Sequence, residues 1–315
     1  MNSEKVTAES VEKFLQDQLA DWEQARNNYA ALNDVVVKEF ELDSLPLKVQ
    51  FNPARIVSSA AKVDAKSLAA RKCFLCDENR PAVQGFIPWG EDYKILVNPF
   101  PIFPRHFTIP CVRHTPQRIA GRVADMVSLA ADMKGYTVFY NGPKCGASAP
   151  DHMHFQAGNS DFLTLPKFLE DVDLQPLTVA TDGEAVLSVC EGLPFGVFVI
   201  DTTDAATAQE LFDRLYAAMP IAEGEEEPMM NLLCYVTEEQ EARVVIIPRK
   251  RHRPSFYGTE GADCMLISPA SVDMGGAFIV PRREDFDRLD AETVRRIYSE
   301  LCLNEDEMNA IIEKL

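Results

Sequence analysis

The sequence is poor in positive charge: 31 lysines and arginines stand against 49 aspartates and glutamates, for a net charge of -18. A nucleic-acid polyanion would be repelled by such a chain except at a local basic patch, which excludes a general nucleic-acid-binding role. Any nucleotide would have to be captured by focused positive charge. The sequence also lacks a long hydrophobic run. No stretch approaches the roughly 18 apolar residues that a membrane helix needs, and the opening MNSEKVTAES has no apolar core of a secretory signal. The expectation is a cytoplasmic protein with no membrane partner. Cysteine is present without being dense. Eight residues, at 73, 76, 111, 145, 190, 234, 264 and 302, do not make a disulfide framework in a chain of 315 residues. Reduced thiols are expected, with one pair available to a metal. With 46% hydrophobic and 25% charged residues, what remains describes a globular protein large enough for one big core or two ordinary domains.

Histidine is scarce too, and its placement is informative. Of five histidines, His106, His114, His152, His154 and His252, two fall inside Gly146-Ala-Ser-Ala-Pro-Asp-His-Met-His-Phe-Gln-Ala-Gly158. Here a small-residue loop runs into a segment where His152, His154 and Gln156 alternate with Met153, Phe155 and Ala157. That two-residue period is the mark of a half-buried strand. It predicts a polar row on one face, with Met153 and Phe155 anchoring the other in the core. A lone histidine in a strand is usually a structural residue; two at alternating spacing after a Gly-Ser loop favour a site. The residue types suit chemistry on a phosphate. Neutral imidazole is a nucleophile, the glutamine amide donates to a phosphoryl oxygen, and the loop offers backbone N–H groups to an anion.

Cys73-Phe-Leu-Cys76 places two thiolates where they can chelate one metal from a tight turn, although the same spacing serves redox chemistry. Its flanks, Lys66–Lys72 before and Asp77-Glu-Asn-Arg-Pro81 after, do not read as the strand and helix of a thioredoxin-type site, so metal is the better reading. Zinc takes four ligands, and with no second cysteine pair the other two should be histidines.

His-x-His-x-Gln after Gly-x-Ser resembles the active-site strand of the HIT-like nucleotidyltransferases and phosphorylases, a family that includes uridylyltransferases, diadenosine tetraphosphate phosphorylases and GDP-hexose phosphorylases. Asn98-Pro-Phe-Pro, His106, Ile109-Pro110 and His114 resemble the family pattern as well, and the likeness is densest from Asn98 to Gly158. The resemblance implies that His154 is the nucleophile, that Gln156 binds a non-bridging phosphate oxygen, and that Ser148 and the Gly146 backbone hold neighbouring oxygens. It implies a structural zinc held by Cys73, Cys76, His114 and His152, with His106 in a supporting place. In one respect the sequence departs from it. Asp151 makes the Ser148 to His152 spacing one residue longer than in the uridylyltransferase pattern.

Other elements follow from periodicity. A helix is expected from Ser3 to about Ala31, a hairpin from Val35–Leu42 and Leu47–Phe51 with Asp43, Ser44 and Pro46 as its turn, a strand at Tyr93–Val97, a helix over Pro116–Lys134 and a strand at Tyr136–Tyr140. Around these, Asn98, Lys144 and Arg55 are candidate substrate contacts, with a solvated surface role as the alternative for the two basic side chains, Lys144 and Arg55. A second half begins after Lys167, with a strand at Phe195–Ile200, a helix at Ala205–Met219, strands at Met230–Val236, Arg243–Ile247 and Ala277–Val280, and helical patterns from Asp287 on. Ile247-Pro248 and His252 echo Ile109-Pro110 and His114, which suggests an ancient duplication. Arg249 or Lys250, in the dense basic run Arg249–Arg253, would face the acceptor phosphate or solvent.

These readings add up to an α+β, HIT-like chain of two related halves, each an antiparallel sheet flanked by helices. Residues 1–165 form the catalytic half and residues 166–315 a half without the histidine row. The expected activity is nucleotidyl transfer from a nucleotide sugar or dinucleoside polyphosphate through a nucleotidyl-histidine, with phosphate or a sugar phosphate as acceptor and a homodimer left open. The rivals are a hydrolase using water and a non-catalytic, zinc-stabilised nucleotide-binding protein.

Overall fold

A computed structural model describes residues 5–56, 65–179, 185–258, 261 and 263–315. Of the long N-terminal helix expected from Ser3, residues 3 and 4 fall outside that set. The rest forms two helices, α1 (Ala8–Asp21) and α2 (Glu23–Ala30). Thr7 caps α1, its side chain accepting from Ser10 N–H while Ser10 Oγ accepts from Thr7 N–H. The break falls at Trp22, whose backbone is extended (φ -108°, ψ 95°) and whose ring is buried. The change of direction lets α2 bury Ala25 and Tyr29, and the Tyr29 hydroxyl donates to the His106 carbonyl (2.9 Å). Helical period alone cannot register that bend.

Strands β1 (Val36–Leu42) and β2 (Leu45–Phe51) form the expected hairpin, but its turn is shorter than anticipated. Asp43 and Ser44 both take positive φ (51° and 65°), the signature of a two-residue turn that matches strand twist. Pro46 is therefore inside β2, opposite Glu41. The chain continues through α3 (Ala65–Ala70), β3 (Ile87–Trp89), β4 (Tyr93–Val97), β5 (His106–Pro110), α4 (Val123–Asp132), β6 (Tyr136–Asn141), β7 (His154–Asn159) and α5 (Thr164–Phe168). Then come β8 (Gln175–Val179), β9 (Ala185–Cys190), β10 (Val197–Thr202), α6 (Ala205–Ala218), β11 (Met230–Val236), β12 (Ala242–Pro248), α7 (Ser271–Met274), β13 (Ala277–Val280), α8 (Arg283–Arg288), α9 (Ala291–Leu301) and α10 (Glu305–Ile312). Helix α4 starts later than its apolar period suggested. Upstream, backbone donors are already engaged elsewhere, Gln117 N–H on Pro150 O (3.1 Å) and Ile119 N–H on the Glu227 carboxylate (2.9 Å).

Among the described residues β3 to β12 form one antiparallel sheet of ten strands, in the order β3-β4-β5-β7-β6-β11-β12-β10-β9-β8. Read from each edge to the centre, the two halves have the same order: three strands, then the last strand, then the one before it. Each half also places one helix, α4 or α6, between its third and fourth strands. The half-sheets join where β6 pairs with β11, from Asn141 opposite Asn231 to Val138 opposite Cys234. This topology supports duplication but corrects the argument from the Ile-Pro-x-x-x-His echo. That echo lies after β5, which precedes α4, and after β12, which follows α6, so the two copies sit on strands that are not counterparts. The counterpart of β7 is β12.

Helices α1, α4, α6 and α10 pack on one face of the sheet, over side chains such as Phe155, Val138, Phe198 and Val244. The other face is covered by the small sheet β1-β2-β13 and by α9, packed on Phe139, Val199, Leu233 and Ile247. Burial of these two apolar layers is the main force holding the three-layer stack together. His154 and Gln156, being two residues apart on β7, lie on the second face, opposite Phe155.

Candidate active site

The site grows from the first residue of β7. His154 lies opposite Pro110, and Gln156 lies between Thr108 of β5 and Phe139 of β6. The His154 ring is 3% exposed, and its Nδ1 sits 2.8 Å from the carbonyl oxygen of His152. A carbonyl can only accept, so the proton is on Nδ1 and Nε2 carries the lone pair. Among the described residues nothing hydrogen-bonds to Nε2. Burial, aided by the charge of nearby His152, lowers the pKa of His154 to about 4 against the pull of that carbonyl. At neutral pH the imidazole is an uncharged base with its reactive nitrogen unengaged.

Gln156 is oriented by its neighbours. Ile102 N–H donates to His106 Nδ1 (3.1 Å), which places the His106 proton on Nε2, and Nε2–H donates to Gln156 Oε1 (3.0 Å). Asn98 Nδ2 approaches the same oxygen (3.5 Å) and donates to Thr108 Oγ1 (3.1 Å), while Asn98 Oδ1 accepts from Phe100 N–H (2.9 Å). With its oxygen turned to these donors, the amide has its NH2 group left to offer a ligand. Burial, and then the charge of Arg55, lower His106 to about 3, so it stays neutral and keeps this single arrangement. Arg55 is itself brought down to about 10 by burial, with Asp273 acting in the opposite direction. Its guanidinium donates to Phe100 O (2.5 Å) and so lies at the Asn98–Phe100 turn beside this cluster.

The loop before β7 is fixed by close packing. Gly146 has φ +98°, and a Cβ there would stand 2.4 Å from the Ala270 Cβ. Only glycine fits both the conformation and the space. Ser148 is half-buried in the bend that follows, and among the described residues its hydroxyl makes no hydrogen bond. Asp151, the extra residue of the loop, pairs with Arg71 (2.5 Å). Lys144, a candidate phosphate contact, is ion-paired with Glu225 of the acidic loop. Arg249, expected at an acceptor phosphate, is instead 4% exposed. Its guanidinium donates to Asn231 Oδ1 (2.6 Å), Pro269 O (3.3 Å), Arg251 O (3.2 Å) and His252 O (3.2 Å). It braces the loop that packs on Gly146 rather than facing open space. Lys250 and Arg251 pair with Glu307 and Glu300.

His152 does not continue the polar row. It precedes β7, and its Nδ1 turns to Cys73 Sγ (3.3 Å) and Cys76 Sγ (3.6 Å), while its Nε2–H donates to Cys111 O (2.8 Å). His114 Nδ1 lies 3.2 Å from Cys76 Sγ. All four donor atoms fall within 4.8 Å of one another. A tetrahedral zinc with bonds of about 2.0 to 2.3 Å separates its donors by roughly 3.3 to 3.8 Å, so this Cys2His2 set can hold such an ion. The carbonyl on Nε2 is the usual outer partner of a metal-bound imidazole. Burial resists ionisation of Cys73, yet hydrogen bonds from His152 and backbone N–H groups bring its thiol down to about 6.

Gln117 was not legible in the sequence. It is fully buried; its Oε1 accepts from His154 N–H (2.8 Å), and its Nε2 donates to both His154 O and Asn141 O (3.0 Å each). A single glutamine in an irregular segment gives no periodic signal. Thr108 and the pair Asn141 and Asn231, which knit the two halves below the loop, sit in strands and were missed because their partners are brought to them only by the fold.

Residues 14–159 match the model of a domain of unknown function (DUF4922), and residues 170–315 match the GDPGP1-like C-terminal domain. No curated protein matches the sequence. Among solved structures the chain is similar to the yeast Ap4A phosphorylase Apa2, at 18% identity and a TM-score of 0.59, over 89% of this chain and 96% of that one. The same enzyme in complex with Ap4A gives the same figures. Its complex with AMP gives 17% identity and a TM-score of 0.59 over 91% of this chain and 96% of that one. These likenesses show a shared fold, and it is the HIT-like fold expected from the histidine row.

Proposed function

We propose that this chain of HIT-like fold, its second half matching a GDPGP1-like domain, is a nucleotidyltransferase or phosphorylase working through a covalent nucleotidyl-histidine. The observation that carries the reading is His154: a buried, neutral imidazole with Nδ1–H held by a carbonyl and Nε2 unengaged. The substrate is a nucleotide sugar or a dinucleoside polyphosphate. Similarity to a phosphorylase solved with Ap4A and with AMP supports a ligand of this class.

In the first step the Nε2 lone pair attacks the α-phosphorus, and the bond from that phosphorus to the bridging oxygen breaks. The leaving phosphate or sugar phosphate departs with the electron pair. The Gln156 NH2 group, the Gly146 backbone and Ser148 hold the non-bridging oxygens, with Arg55, Asn98 and Lys144 as further contacts. In the second step an oxygen of phosphate or of a sugar phosphate attacks the same phosphorus, and the P–N bond breaks to restore the neutral imidazole. An anionic acceptor is preferred because Gln156 can neither take nor give a proton at neutral pH, whereas water would need a base. Residues 1–165 carry this chemistry, and residues 166–315 brace it.

Cys73, Cys76, His114 and His152 would hold the zinc. All its positions are filled by protein, so its contribution is structural, anchoring the residue two positions before the nucleophile. The decisive experiment incubates the protein with nucleoside diphosphate sugars and diadenosine polyphosphates, with and without phosphate, and reads intact-protein mass and products. A nucleotidyl adduct that is lost in His154→Ala, with turnover dependent on phosphate or sugar phosphate, is expected. Phosphate-independent release would mean a hydrolase, and binding without an adduct would mean a non-catalytic protein. Zinc content of the same preparation tests the metal site.

A further inference from the structure

We propose that Gln117 is a positioning residue for the nucleophile, its side-chain amide standing in for the strand pairing that β6 and β7 give up beside His154. The proposal rests on the reading of His154 given above. In the register of these strands Val138 faces Ala157 and Phe139 faces Gln156. Continued, that register would set Tyr140 opposite Phe155 and then Asn141 opposite His154, but the ladder stops two pairs short. In the gap lies the Gln117 amide, which accepts from His154 N–H (2.8 Å) and donates to His154 O and Asn141 O (3.0 Å each). One side chain thus satisfies both backbone groups of the nucleophile and ties them to the end of β6, and every one of its polar atoms is used.

The main chain at Gln117 and just before it extends the clamp. Gln117 N–H donates to Pro150 O (3.1 Å), and Met153 N–H donates to Thr115 O (2.7 Å). Thr115–Gln117 therefore lies as a surrogate edge along the chain from Pro150 to Met153, between the glycine-serine loop and the start of β7. The arrangement matters for chemistry because the imidazole is oriented by the carbonyl of His152, two residues before it. If the backbone of His154 shifts, the ring shifts relative to that carbonyl and Nε2 loses its line to phosphorus. Misplacement of a reacting atom by about 1 Å costs on the order of 100-fold in rate. A direct pairing of Asn141 with His154 would satisfy the same backbone groups while closing the gap between the strands. The inserted amide keeps them apart at His154.

Two variants test this. Gln117→Met keeps the length and removes every hydrogen bond. Gln117→Glu keeps the acceptor and loses the donor when ionised, and regains one donor when protonated. For Gln117→Met we expect adduct formation and kcat to fall about 100-fold with KM for the nucleotide within threefold. For Gln117→Glu we expect a similar loss at pH 8 that is partly recovered as the pH is lowered toward 5, a rise the wild type does not share. Side-chain 15N spectra of histidine-labelled protein should show the Nδ1–H tautomer of His154 lost in Gln117→Met, with the signals of His106 unchanged. Wild-type rates in Gln117→Met, a Gln117→Glu profile parallel to that of wild type, or an unchanged His154 tautomer in folded protein would each overturn the proposal. Should Gln117→Met not fold, the Gln117→Glu profile decides. The two readings fail separately. No adduct in the wild type refutes the nucleophile, whereas an adduct indifferent to Gln117 refutes only the clamp.

Discussion

The two halves of the ten-stranded sheet share one topology and differ at one hairpin. In the second half β11 and β12 are joined by residues 237–241, a tight turn closed by Thr237 N–H on Glu241 O (2.8 Å), with Gln240 at φ 68°. In the first half the corresponding strands β6 and β7 are joined by residues 142–153, which carry Gly146, Ser148, Asp151 and His152. The strands differ as well. On the face where β7 presents His154 and Gln156, β12 presents Val245 and Ile247, in the same apolar cluster as Ile297 and Tyr298 of α9. The fold thus provides two equivalent places, and only the longer connection and the polar row make one of them a candidate for chemistry. The apolar half still participates, since Ala270 packs on Gly146, and Asn231 donates to Cys145 O (2.8 Å) and to Asn141 Oδ1 (3.2 Å).

Substitutions can break this contrast, and the largest effect should come from His154, the proposed nucleophile. His154→Ala is expected to lower turnover by about 10⁴-fold or more and to abolish the adduct, with little change in the unfolding transition. Adduct formation by His154→Ala would place the chemistry elsewhere. In the apolar half the same truncation should act on stability alone. Ile297→Ala opens a cavity in a fully buried position and should cost about 2 to 5 kcal/mol in denaturant unfolding, while adduct formation per folded molecule is kept. A smaller effect, shared by both halves, is expected for Gly146→Ala. The new methyl meets Ala270 at a backbone conformation that disfavours side chains, at a cost of about 1 to 3 kcal/mol together with slower adduct formation. Gly146→Ala combined with Ala270→Gly should recover part of the loss, and no recovery would deny the contact its importance.

A last effect concerns pH. Asp273 accepts from Ala270 N–H (2.8 Å) and Ile279 N–H (3.0 Å) in the brace behind the loop, and burial raises its pKa to about 6 from an ordinary 3.8. A carboxyl raised on folding binds its proton more tightly in the folded state. Its contribution is therefore complete below about pH 3.8 and is lost as pH rises through about 6. Asp273→Asn should remove that step from a plot of unfolding free energy against pH. A wild-type curve without it would show that the carboxyl ionises freely.

Legibility followed the range of the interactions. The alternation from His154 to Gln156, the hairpin with Asp43 and Ser44 at its turn, and the strand Ala277–Val280 all declare themselves within a few residues. The break at Trp22 did not, because bending serves the contact between Tyr29 and His106. The repeated Ile-Pro-x-x-x-His misled because two strands can end in the same letters without being counterparts; only the position of the helices relative to β5 and β12 separates them. Arg249 read as a pocket cation because its partners, from Asn231 to Pro269, are brought together only by the fold.

By itself the sequence determined which residues are candidates for chemistry: a row of histidine and glutamine on a strand with an apolar back, a glycine-serine loop before it, and a thiol pair that histidines could complete as a metal site. Those follow from residue type and short period, which survive without a third dimension. Tertiary structure decided how each group is held. Which nitrogen of His154 carries the proton, which way the Gln156 amide turns and what fills the gap beside His154 depend on His152, His106 and Gln117, at hydrogen-bond distances that no spacing along the chain encodes.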